Sequence, residues 1–118
     1  MKKVMSLSFA FLCALSIQNS SHAYSLPECV GDYKVIKRCY LESKKANLPK
    51  LQNDYNQAVK ACGLLVASFK RKVIKRLPDL EKPVLDDLVE KCNFGCTLYI
   101  ESKNIPKEEE FLEKCLSQ

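Results

Sequence analysis

Histidine is almost missing from this sequence, and the single one, His22, falls among the first two dozen residues. Beyond it, no side chain titrates near neutrality unless its surroundings shift it. Nucleophile–histidine catalysis and histidine-ligated zinc are thereby excluded. Glycine is nearly as scarce: Gly31, Gly63 and Gly95 are isolated, so no glycine-rich loop cradles a phosphate. No stretch alternates apolar and polar residues as a half-buried strand does, and there is no internal repeat or low-complexity tract. No Asn-x-Ser/Thr sequon follows residue 23. Long apolar runs are absent too, apart from one at the start of the chain.

That run, Val4 to Ile17, follows Lys2 and Lys3 and precedes Ser21-His22-Ala23, small residues at the positions a signal peptidase reads. The pattern is a secretory signal over residues 1–23, too short and too lightly flanked for a membrane span. Cys13 follows bulky Leu12 and apolar sequence continues past it, so it is not read as a lipidation site. The short Lys-Lys leader and the missing sequon favour a bacterial setting, periplasmic or secreted. Cleavage after Ala23 leaves 95 residues, a single small domain of the size that needs staples. Six cysteines remain, Cys29, Cys39, Cys62, Cys92, Cys96 and Cys115. An even count in an exported chain reads as three disulfides, and a metal site lacks histidine and a second close cysteine pair.

The expected fold is all-α: a small bundle of about four helices stapled by those disulfides. Ser25-Leu26-Pro27-Glu28 has the form of a capping box and starts a helix running to about Ala46, with Cys29, Tyr33, Ile36 and Tyr40 on its inner face. Asn47-Leu48-Pro49 ends it. From Leu48 to Leu77, Leu51, Tyr55, Ala58, Cys62, Leu65, Phe69, Val73 and Leu77 keep three-four spacing. They predict one helix of about 45 Å on which the others dock. Gly63 within it suggests close approach of a neighbouring helix. A third helix is expected over 79–104, with Asn93-Phe94-Gly95 as a break or bulge, and a fourth from Pro106, its first turns holding Glu108, Glu109 and Glu110.

Pairing of the sulfurs is only narrowed. Cys29 and Cys39 lie about 15 Å apart on one helix, too far to bond each other. Cys92 and Cys96 sit one turn apart and staple the third helix to two neighbours. Folding the last helix back about Asn104 favours Cys92 or Cys96 as partner of Cys115. Folding helices two and three about Pro78 favours Cys62 with Cys96, so two inferences compete for one sulfur. The spacings between cysteines match neither saposins nor insect odorant-binding proteins, and only one half of a twin C-x9-C pattern is present.

Charge is the remaining signal. Residues 34–76 hold twelve Lys and Arg against Glu42 and Asp54, while 79–118 hold five Lys against ten acids. An acidic half lying across a basic middle satisfies this internally; an anionic partner satisfies it externally. On a helical wheel Lys60, Arg71 and Lys75 oppose the Cys62–Phe69–Val73 stripe, Lys70 and Lys72 flank them, and Arg76 follows. Leu64 and Ala67 share this outer face. Cations around apolar residues suit an acidic membrane surface or lipid headgroup. The plain reading is a solvated face with Leu64 covered by another helix. Nucleic acid is disfavoured because no aromatics interleave with the basic residues.

Asp86-Asp87 and Glu108–Glu110 are carboxylate clusters, read as solvated faces rather than acid–base pairs, and Cys92-x-x-x-Cys96 lacks the spacing of thiol oxidoreductases. The expectation is a non-enzymatic exported binding protein, such as a secreted effector, engaging acidic phospholipid or an acidic protein surface without a cofactor. Its size and compartment also fit small periplasmic immunity or inhibitor proteins, the alternative. A homodimer joining basic and acidic halves is a third reading.

Overall fold

Ser25 opens the first helix as its pattern predicts. Its hydroxyl accepts the Glu28 N–H at 3.3 Å, while the Glu28 carboxylate accepts the Ser25 N–H at 2.8 Å. The computed structural model describes residues 24–118, so the expected signal segment, with Cys13 and His22, lies outside the described residues. Helix α1 spans Leu26–Lys45. Asn47 then takes a left-handed φ of 55°, with Asn47 N–H on Lys44 O at 3.0 Å and Leu48 N–H on Ser43 O at 3.2 Å. This pair of bonds satisfies the last carbonyls before Pro49 forces the chain to extend.

Helix α2 is shorter than its apolar stripe implies. It spans Tyr55–Arg76 and starts at Asp54, whose carboxylate accepts the Gln57 N–H at 3.2 Å, not at Leu48. Leu51 keeps the helical spacing but sits in the connecting loop, and its N–H donates to Ile100 O at 2.9 Å. The side chain docks beside Tyr40 and Leu48 against a core cluster of Ala58, Cys62, Cys96, Tyr99 and Ile100. Lys50 lies 4.0 Å above the Tyr99 ring, a cation–π contact that fastens the same loop.

Helix α3 spans Lys82–Ile100 with Pro83 in its first turn, and α4 spans Glu108–Leu116, starting two residues after Pro106. No break occurs at Asn93-Phe94-Gly95; α3 is continuous there. Gly95, not Gly63, is the close-approach glycine. A Cβ at Gly95 lands on the backbone of Ile36 and Tyr40, whereas one at Gly63 meets nothing. Ser102 at φ 61° closes α3 as Asn47 closes α1, with Lys103 N–H on Leu98 O at 2.8 Å.

The organising pair is α1 with α3, which make the most extensive contact; α2 docks mainly on α3 and α4 on α1. The long second helix is therefore not the element on which the others are built. Disulfides follow this arrangement: Cys39–Cys92 joins α1 to α3, Cys62–Cys96 joins α2 to α3, and Cys29–Cys115 joins α1 to α4. Cys92 and Cys96 staple two neighbours as expected, and Cys62 takes Cys96. Cys115 takes neither of them. The segment after Ser102 carries α4 across to α1, where Tyr33 Oη donates to Pro106 O at 2.8 Å and the Tyr33 and Phe111 rings lie 5.5 Å apart. All six sulfurs are buried and form much of the core. Three disulfides suit an oxidising extracellular or periplasmic environment, and no described helix is long and apolar enough to cross a membrane.

Candidate functional site

Lys60, Lys70, Arg71, Lys72, Lys75 and Arg76 all lie on α2, and all are exposed. Helical periodicity divides them. Lys60, Arg71 and Lys75 fall within about 60° of arc on the side away from Cys62. Leu64 shares that arc and is 64% exposed, with Ile74 also exposed nearby. No described helix covers Leu64, so the solvated-face reading loses the cover it requires. Gly63 leaves the flank of this face open.

Lys72, Lys75 and Arg76 instead reach the rim of a cleft of about 600 Å³ where the end of α2 parts from α1 and α3. Its floor is apolar: Val35 from α1, Phe69 and Val73 from α2, Leu88 from α3. Arg38 completes the rim from α1, its guanidinium 6.0 Å from the Phe69 ring centre and its Nε donating to Glu42 at 3.3 Å. Sequence reasoning passed over Arg38. The signal was its place three residues after Val35 and one before Cys39, at the edge of the buried stripe. Lys70 stands apart from the cleft, and Lys75 belongs to both surfaces.

Ion pairs among the described residues are local: Arg38–Glu42, Lys82–Asp86, Lys91–Asp87 and Lys103–Glu101. None joins the basic middle to the acidic C-terminal half, and none involves the six α2 cations. The C-terminal dipole of α2, equivalent to roughly half a negative charge, offsets only a fraction of four rim cations.

A different cluster lies at the α1–α3 seam. Asp32 is 4% exposed and hydrogen-bonded to Asp87, which accepts from Lys91 Nζ at 3.0 Å. Asp86 points outward to Lys82 at 2.7 Å, so only one of the two adjacent aspartates is the solvated carboxylate expected. Burial, then the hydrogen bond and negative charge of Asp87, push the Asp32 carboxyl up to about 7, with Glu28 adding to this and Lys91 opposing it. Burial works against the Lys91 ammonium, yet the hydrogen bond and charge of Asp87, with Asp32 and Glu90, raise its pKa, so it stays cationic. Asp32 went unread in the sequence although it sits three residues after Cys29 and four before Ile36, a carboxylate set on an apolar stripe.

The linkage has a definite sign. The folded state keeps a proton on Asp32 that the unfolded chain releases above the ordinary value of 3.8, so stability falls as pH rises toward 7. Between pH 5 and 8 the expected loss is about 2 kcal/mol. Asn at this position donates as the protonated acid does. Denaturant titrations should find Asp32→Asn more stable than the wild type at pH 8 and nearly equal at pH 5. Parallel pH profiles for the two proteins would remove Asp32 as the source.

Among the described residues no group of three Cys, Asp or Glu side chains is arranged to hold a metal ion. Comparison with models of protein families, with curated proteins and with solved structures found no match.

Proposed function

We propose that this chain is a non-enzymatic exported binding protein, of the kind a secreted effector would be, which engages acidic phospholipid headgroups through α2. One observation carries the reading: six exposed α2 cations lack a carboxylate partner among the described residues, and three of them, Lys60, Arg71 and Lys75, share an arc with the uncovered Leu64, with exposed Ile74 nearby. Each Lys or Arg near an anionic leaflet contributes about 1 kcal/mol, and exposed apolar side chains add by entering the headgroup boundary.

The test is sedimentation with phosphatidylserine-containing vesicles, comparing the wild type with Arg71→Glu/Lys75→Glu. Both side chains are exposed, so folding should not change. Reversal is expected to weaken binding by about a hundredfold or more, and molar salt should release the wild type because screening shortens to about 3 Å. Equal binding by both proteins, or none by either, sinks the proposal. A pull-down complex that survives molar salt would favour a protein partner, as an inhibitor or immunity protein has.

A further inference from the structure

The cleft at the end of α2 differs from the outer face in having depth. About 600 Å³ falls within the 300–1,000 Å³ typical of small-ligand sites. Its lining is segregated: Val35, Phe69, Val73 and Leu88 form the floor, Arg38, Lys72, Lys75 and Arg76 the rim, and no carboxylate lines it. A purely apolar ligand would leave the cations unused, and a bare anion would leave the floor wet. Complementarity calls for one molecule with both parts.

We infer that this cleft seats a single anionic amphiphile, with its phosphate or carboxylate head between Arg38, Lys72 and Arg76 and its alkyl chain over Val35, Phe69, Val73 and Leu88. The inference rests on reading the end of α2 as an anion-engaging surface and adds a stoichiometric site to it. Leu77, exposed at the outer lip, extends the apolar path away from the rim. The two terminal nitrogens of the Arg38 guanidinium, with four N–H donors, remain beyond the Nε bound to Glu42, in a fork suited to a phosphate.

Calorimetric titration with monomeric alkyl phosphates, below their aggregation concentration, tests this. Saturable one-to-one binding of decyl phosphate is expected. Affinity should rise about fourfold per methylene from hexyl upward, until the chain outgrows the floor. Inorganic phosphate should bind far more weakly, and decyltrimethylammonium not at all. Lys72→Glu/Arg76→Glu should abolish decyl phosphate binding, while Lys60→Glu/Arg71→Glu, on the outer face, should retain it. Affinity independent of chain length, or equal loss in both variants, overturns the site. If vesicles bind but decyl phosphate does not saturate, the cleft fails and the surface reading stands. If decyl phosphate binds one-to-one and vesicles do not, the reverse holds.

Discussion

Reduction of the three disulfides is expected to abolish the cooperative thermal transition of this protein. The bonds span sequence separations of 86, 53 and 34 residues, loops long enough for each to remove substantial chain entropy from the unfolded state. On the loop-entropy estimate each contributes about 4 kcal/mol, and native bridges in small secreted proteins typically cost 2–5 kcal/mol when lost. The total is comparable to the whole stability of a domain of this size, about 5–15 kcal/mol. Packing points the same way. One core cluster surrounds Cys62 and Cys96, the other Cys39 and Cys92, so opening these bonds also disturbs the apolar centre. Circular dichroism melts with and without a phosphine reductant measure the effect, with thiol titration confirming that the six sulfurs of these bonds have become free thiols. A fully reduced protein with an unchanged midpoint would show that tertiary packing alone suffices. Replacing only Cys39 and Cys92 by alanine should lower stability by about 4 kcal/mol, because that bond closes the principal α1–α3 seam.

Gly95→Ala should be nearly as damaging, though it adds one methyl group. The added Cβ would overlap the carbonyl oxygen of Ile36 and crowd the Tyr40 amide. Those atoms are backbone in the middle of α1, and the Cys39–Cys92 disulfide holds α1 against α3 at the same crossing. Alanine gains about 1 kcal/mol of helix propensity over glycine, and overpacking costs typically 1–3 kcal/mol and more where nothing can move. The overlap wins here, since its cost lies at or above the top of that range, with an expected net loss of about 2 kcal/mol or more. Gly63→Ala is the matched control. It too lies inside a helix, its new methyl meets open space, and propensity alone should stabilise it by about 1 kcal/mol. Urea midpoints for the two variants should therefore move in opposite directions. Midpoints that move together would show that α1 and α3 are not in contact at Gly95.

The contrast between these glycines marks what the sequence could convey. Each sits beside a disulfide cysteine, so the pattern alone gave no reason to choose Gly95 over Gly63. Only the helix crossing distinguishes them. Leu51 misled for a related reason. Its spacing continues the stripe of α2, yet it is fixed by a main-chain bond to Ile100, and period has no access to that. The better guide was already present in Asp54 three residues before Gln57, the spacing of a capped start. Caps and helix identities were legible because they depend on neighbours in the chain. The Cys29–Cys115 bond was not, since it depends on the path of residues 101–107. At the candidate site, the cations of α2 were readable one by one. Their division between an outer face and a cleft required Val35, Arg38 and Leu88, contributed by two other helices.

The order in which sulfur connects the helices has a consequence for survival among proteases. Through disulfides alone the elements run α4, α1, α3, α2, a linkage that includes every helix once and differs from the order along the peptide. Nicks in all three connecting loops would sever the polypeptide yet release no fragment. The clipped product would migrate as one species until a thiol was added, and then fall apart into four peptides.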